Sequence, residues 1–470
     1  MVLIMKKAAI IYGECSTSLQ KKAISLLSEI LLDYTFAYPI CASVQESEQF
    51  ADRLRIYVGT KETNAYIKEN SDVILTRDEE YAIKVSGDLV TIEGKDDAGV
   101  VYGCMDFYNK YLVHLEYPHH PDLYRVNPFE SGFPDFTYSS CPAIKNRGIW
   151  TWGHVIYDYR AFIDNMVKLK MNTLILWNDF VPLNAREMIE YAHSLNIKLI
   201  WGYSWLWESS FEGFSLEKAK NSIDAIIEKY EKEYLPLGGD GIYFQSFTET
   251  GSDYLNGVLI AEAVTDLVNK AAGRLLEKYP HLELQFGLHA ESVQNKLEYI
   301  KRVDPRVRIV WENCGAFPFS YLPNDTGDFD GTIRFVEEIS HLRGEDDKFG
   351  VVTKGLVKLD WTAFSHMEGQ IFPGVSSTHL QNDRIRRKSK IWRYIQAYWL
   401  TSAPKAHEMA KALRDFKNGD LFVTALVEDG MFERKIMFPV ALYSEMLWNT
   451  EDDTSEMINE VALREYVDFA

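Results

Sequence analysis

From Ile144 onward one pattern recurs eight times: a short, nearly continuous apolar run, then a stretch with helical periodicity. The runs are Ile144 to Trp150, Thr173 to Trp177 (TLILW), Lys198 to Tyr203 (KLIWGY), Gly241 to Phe247 (GIYFQSF), Leu282 to Leu288, Val307 to Trp311 (VRIVW), a run within Val351 to Leu359, and Leu421 to Val427 (LFVTALV). Helical segments such as Tyr159 to Leu169, Ala185 to Leu195, Leu216 to Tyr234 and Val258 to Tyr279 lie between them. A strand that alternates apolar with polar residues has one wet face. A strand that is apolar throughout is buried on both, as in a parallel sheet covered by helices. Repeated βα units of this kind predict an α/β protein, and eight of them over roughly 300 residues predict a closed (β/α)8 TIM barrel. The rival, an open doubly wound sheet, usually brings a glycine-rich phosphate loop, and neither GxGxxG nor GxxxxGK occurs.

The chain ahead of this region has a different grammar. Lys7 to Tyr12 (KAAIIY) and Leu54 to Gly59 (LRIYVG) are short strands, and Ser18 to Asp33 is an amphipathic helix with Ala23, Leu26, Leu27, Ile30 and Leu31 on one face. Tyr81 to Glu93 alternates about Ser86-Gly87-Asp88, which marks a hairpin, and Asp97 to Tyr111 is a helix. Pro118, Pro121, Pro128, Pro134 and Pro142 then interrupt all periodicity, as a linker does. The expected organisation is a small α/β accessory domain over residues 1–135 and a barrel catalytic domain over 136–470.

Charge excludes one class of partner. The net charge of −19 argues against nucleic-acid binding, which needs a basic face. The basic run Arg384 to Lys390 (RIRRKSK) reads as a solvated helix face. No apolar run reaches the roughly 18 residues that cross a bilayer, so no membrane partner is expected. The opening residues, broken by Lys6 and Lys7, lack a secretory cleavage pattern, and the five scattered cysteines contain no CxxC. Both points predict a cytoplasmic protein with free thiols. All 11 tryptophans lie at or after Trp150. Flat rings near strand ends suit the stacking of sugar planes, although a tryptophan-rich core accounts for such a count equally simply.

In a (β/α)8 enzyme the chemistry sits at the C-terminal ends of the strands. Those ends carry aromatic rings and carboxylates here. Glu249 follows the fourth strand and Glu312 the sixth, and these two are the candidate catalytic pair. Glycosidic cleavage needs one protonated carboxyl beside the leaving oxygen and usually a second, ionised one near the anomeric carbon. A carboxylate salt-bridged at the rim is the structural alternative for each. Asp179, Trp205, Trp207, His289, Trp311, Asp360, Trp361 and Glu428 are the candidate substrate-binding residues, with stacking and core packing both open for the tryptophans. No HExxH, clustered Cys/His set or GxSxG occurs, so no metal, cofactor or serine nucleophile is expected.

The segment Tyr81 to Phe107 (YAIKVSGDLVTIEGKDDAGVVYGCMDF) resembles the accessory domain that precedes the barrel in family 20 β-N-acetylhexosaminidases and family 67 α-glucuronidases. The similar features are the GD hairpin, the IEG strand end and the DDAGVVYG turn into a helix. The resemblance implies a glycosidase barrel. Hexosaminidases carry adjacent Asp and Glu after strand four, whereas Thr248-Glu249 stands here, which speaks against acetamido-assisted cleavage. Glu249-Thr250-Gly251 is similar to the lone acid Glu of the α-glucuronidases. The expected function is an exo-acting glycoside hydrolase on small oligosaccharides. The alternatives are a carbohydrate-binding protein with a degenerate barrel, or a uronate-acting lyase that uses Arg147 and Lys145 near strand one.

Overall fold

The computed structural model describes residues 6–35, 37–115, 129, 132–178, 180–206, 215–247, 252–289, 293–313, 328–356, 369–373, 378–416, 420–427, 432–465 and 467. The chain forms two units, one built on Met1–Pro142 and the other on Ala143–His193 with Ile197–Val461.

The first unit is a six-stranded sheet made of β1 (Ala8–Tyr12), β2 (Ile40–Ser43), β3 (Leu54–Gly59), β4 (Tyr81–Ser86), β5 (Leu89–Gly94) and β6 (Phe136–Ser140), in the order β2-β1-β3-β5-β4-β6. The first four strands in that order run parallel, and β4 is antiparallel to both β5 and β6. Phe136–Ser140 therefore pairs into this sheet, beyond the boundary that the prolines suggest, because its extended residues supply β4 with an edge partner. The DDAGVVYG segment has a packing reason. Asp96 caps the helix Asp97–Asp106 by accepting from the Gly99 N–H at 2.8 Å. A Cβ on Gly99 would fall 2.3 Å from the Glu80 carbonyl oxygen, and one on Gly103 would fall 2.8 Å from Ile92 Cγ2. The two glycines let this helix lie directly on the β4–β5 hairpin.

The second unit is the closed barrel. Its strands are β7 (Asn146–Trp152), β8 (Thr173–Trp177), β9 (Lys198–Ser204) and β10 (Gly241–Gln245). After the small hairpin β11 (Tyr254–Leu255) and β12 (Val258–Leu259) come β13 (Glu283–His289), β14 (Arg308–Glu312), β15 (Phe349–Thr353) and β16 (Leu421–Leu426). The eight barrel strands are all parallel and follow chain order round the ring, with β16 closing on β7. Every residue of β7, β8, β10, β14, β15 and β16 is buried, which is why most of these strands read as nearly continuous apolar runs. The 39-residue helix Thr378–Phe416 links β15 to β16 and carries the basic run, where Asp383 pairs with the exposed Arg386 and Arg387. Among the described residues no helix is long and apolar enough to cross a membrane.

Candidate functional site

In a barrel of parallel strands every second side chain points inward, so register decides which residues meet. Trp150, Trp152, Trp177, Tyr243, Val310 and Val352 belong to the interior cluster. The same parity puts Gln245, His289 and Glu312 inward as the last residues of β10, β13 and β14, with Lys354 one residue past β15. The C-terminal end of the barrel thus has two halves. The β7–β8 side presents indoles: Trp150 lies 5.0 Å from Trp152 and 6.0 Å from Trp177, ring centre to ring centre. The side from β10 to β15 presents charged and polar groups.

Glu312 is the centre of the polar half. It is 3% exposed. Its Oε1 accepts from the Tyr243 hydroxyl and from the Gln245 amide, and its Oε2 lies 3.1 Å from Lys354 Nζ. His289 is its register partner on β13. Gly287 makes the arrangement possible. A Cβ on Gly287 would lie 2.1 Å from Tyr243 Oη and 2.8 Å from Glu312 Oε1. The missing side chain is the gap through which Tyr243, on β10, reaches across β13 to Glu312, on β14.

These contacts set the protonation states. Burial is the largest single effect on Glu312 and favours the neutral acid. The electrostatic pull of Lys354 and then His289, with the hydrogen bonds from Tyr243 and Gln245, together outweigh it and hold the carboxyl below its ordinary range. Glu312 is therefore an anion at neutral pH. Burial, then the Glu312 charge and hydrogen bond, push Tyr243 far above its ordinary value, so its hydroxyl stays protonated and donates. A buried carboxylate facing aromatic rings can steady positive charge that develops on a bound ring, as glycosyl transfer requires.

Of the residues expected at the site, the structure brings Glu312 and His289 together. Trp205 and Trp311 go elsewhere. Trp205 is fully buried and stacks at 3.6 Å on Phe244, which faces outward because Tyr243 faces inward. Trp311, equally buried, turns to Phe335 of the helix Phe329–Ser340. Glu249, Asp179, Trp207, Asp360, Trp361 and Glu428 lie outside the described residues. Arg147 sits near the N-terminal end of β7, buried, with its guanidinium 4.8 Å from the Trp448 ring centre, at the opposite end of the barrel from Glu312. Sequence reasoning missed Tyr243 and Lys354. The first is hidden within an apolar strand and the second within an overlong reading of the seventh. One signal pointed to them: a glycine inside the strand ELQFGLH marks a close approach of other groups.

No family model matches the sequence, and no curated protein matches it. Solved structures do resemble it. A GH138 enzyme targeting pectin rhamnogalacturonan II is 14% identical at a TM-score of 0.53, over 96% of this chain and 65% of that one. CpGH84B is 12% identical at 0.54, over 97% and 70%. BtGH115A, a GH115 4-O-methyl-α-glucuronidase with specificity for decorated arabinogalactans, is 14% identical at 0.51, over 98% and 59%. The chain thus spans about two thirds of the length of these glycoside hydrolases or less. At such identities the likeness shows the fold: a (β/α)8 barrel accompanied by a separate α/β sheet unit.

Proposed function

We propose that the protein is a glycoside hydrolase, with Glu312 the ionised carboxylate of the catalytic pair and Glu249 the proton donor. The observation that carries this reading is the buried Glu312 anion at the C-terminal end of β14, kept charged by Lys354, His289, Tyr243 and Gln245 opposite a wall of indoles. The glycoside hydrolases of similar fold support it. In the proposed reaction Glu249 protonates the glycosidic oxygen as its bond to the anomeric carbon breaks, and Glu312 steadies the positive charge left on the sugar. Water supplies the new hydroxyl and returns a proton to the carboxylate pair. Thr248 ahead of Glu249 favours a separate second carboxylate over acetamido assistance, and that places the chain nearer the α-glucuronidase pattern than the hexosaminidase one. An exo action on small oligosaccharides completes the proposal. The free Cys15, Cys41, Cys104 and Cys141 are in keeping with a reducing compartment.

A second reading is carbohydrate binding without turnover. It is favoured by the occupancy of both Glu312 oxygens by protein groups. One screen separates the two: aryl glycosides and aryl uronides at neutral pH with wild type, Glu249→Gln and Glu312→Gln. Turnover that both substitutions abolish supports the hydrolase. Turnover unaffected by Glu249→Gln removes Glu249 from the mechanism, and sugar binding without turnover in wild type supports the second reading.

A further inference from the structure

The inward side chains of a (β/α)8 barrel stack in layers contributed by alternate strands, because the strands tilt against the barrel axis. Register assigns the layers here. A rung of paired residues followed once round the ring in chain order returns roughly eight residues nearer the N-terminal end of its strand, so each step to the next strand lowers it by about one residue. Trp152 is paired with Trp177, Ser204 with Gln245 and His289 with Glu312. In each pair the first residue therefore stands nearer the C-terminal mouth. Lys354 joins them, two residues beyond Val352, the partner of Glu312. Trp177, Gln245, Glu312 and Leu426 thus form one layer, and Trp152, Ser204, His289 and Lys354 the layer above it, at the mouth-side ends of β7, β9, β13 and β15.

Exposure follows the same order. The lower layer is buried throughout, whereas Ser204, His289 and Lys354 are part-exposed. Of the three interior indoles Trp152 keeps the most surface, 7% against 4% for Trp150 and 3% for Trp177. Both of the others meet it in T-shaped contacts, at 5.0 and 5.8 Å between ring centres, and fix its plane. Glu312 is oriented to match. Its Oε1 is held by Gln245 from its own layer and by Tyr243 from below, and its Oε2 is met by Lys354 from above at 3.1 Å. Across the ring β7 stands opposite β13, and β9 opposite β15.

We infer that this upper layer is the subsite for one pyranose ring: Trp152 is its stacking surface, Ser204 and Lys354 hydrogen-bond its hydroxyls from opposite edges, and Oε2 is the Glu312 oxygen that meets it. An indole covers the C–H face of a pyranose. A serine hydroxyl donates and accepts and an ammonium donates, which complements an edge of hydroxyls. Trp150 and Trp177 support the platform from beneath. The inference rests on the glycoside hydrolase reading and deepens it, by naming the contact residues of the reacting sugar.

The test compares Trp152→Leu, Trp152→Phe and Ser204→Ala with wild type. Affinity is read by thermal stabilisation with glucose, galactose, N-acetylglucosamine, glucuronate and rhamnose, and as KM where an aryl glycoside is turned over. Trp152→Leu should lose about tenfold to a hundredfold in affinity, and Trp152→Phe should recover part of it because a flat ring returns. Ser204→Ala should lose about threefold to tenfold. If Trp152→Leu fails to fold, as urea unfolding would reveal, Trp152→Phe and Ser204→Ala decide the matter. Wild-type affinity in both of these overturns the inference and leaves the hydrolase reading standing. Equal affinities for Trp152→Phe and a folded Trp152→Leu overturn it too, since lost volume and not a lost ring face would then be the cause. If wild type neither binds any of these sugars nor turns over any aryl glycoside, both the reading and the inference fall.

Discussion

Replacing Gly287 by alanine inserts one methyl group into the narrowest place in the barrel. Its Cβ would lie 2.1 Å from Tyr243 Oη, 2.4 Å from Tyr243 Cζ and 2.8 Å from Glu312 Oε1. Contacts this short force a displacement, and Tyr243 has little room to give. It is fully buried, with Trp150 at 5.7 Å and Trp177 at 6.3 Å ring centre to ring centre. Overpacking of a tight core costs about 1–3 kcal/mol, and losing a hydrogen bond to a charged group costs about 1.5–3 kcal/mol. The better strand propensity of alanine returns roughly 0.5–1 kcal/mol. The expected net loss is about 1.5–5.5 kcal/mol. All 11 tryptophans lie at or after Trp150, so tryptophan fluorescence in urea follows the barrel unit without signal from the first 149 residues. Removing the hydroxyl as well, with Tyr243→Phe, should relieve only part of the loss, because Cζ still stands 2.4 Å from the new methyl. The variant should also alter the acid side of the stability curve. A carboxylate with a lowered pKa stabilises the fold above its unfolded value of about 4.3, and that stability is lost as pH falls through the lower folded value. Without its Tyr243 donor Glu312 takes up its proton at higher pH, so acid unfolding begins earlier. A wild-type urea midpoint together with an unchanged acid transition would refute the view that Gly287 is the notch through which Tyr243 reaches Glu312.

Other outcomes follow from the same contacts. Lys354→Met removes the largest favourable charge beside Glu312, so the carboxyl pKa rises and the acid limb of the activity profile on any substrate moves toward neutral pH; an unmoved limb would contradict it. Lys170 and Glu445 are each 1% exposed and lie 3.5 Å apart, and Lys170→Met should cost about 3–5 kcal/mol in urea unfolding while leaving kcat/KM unchanged. Gly99→Ala should destabilise the six-stranded sheet by about 1–3 kcal/mol, seen as faster amide exchange along β4, because its methyl would meet the Glu80 carbonyl oxygen at 2.3 Å; protection equal to wild type would show that the helix can lift off the hairpin freely.

The barrel was legible from local pattern. Strands such as TLILW and VRIVW are buried on both faces, and only a parallel sheet covered by helices demands that. Glu312 was legible as well, since a carboxylate directly after VRIVW stands out against an apolar background. The same uniformity hid the rest. In a strand that is apolar on both faces, composition does not say which residues point inward. Trp150, Trp152 and Trp177 line the interior while Trp205 and Trp311 face the helix layer, although all five follow or close similar runs.

What the sequence by itself determined was the repeating unit, and with it the closed parallel ring, because burial of both strand faces is a property of each segment. What only the tertiary structure decided was the meeting of Tyr243, Gln245, His289, Glu312 and Lys354, drawn from four different strands or strand ends. Their union depends on barrel register, and on a missing side chain at Gly287 that creates space for groups on the strands to either side. The protonation state of Glu312 depends on that union in turn, since burial by itself pulls toward the neutral acid and the gathered partners reverse that pull.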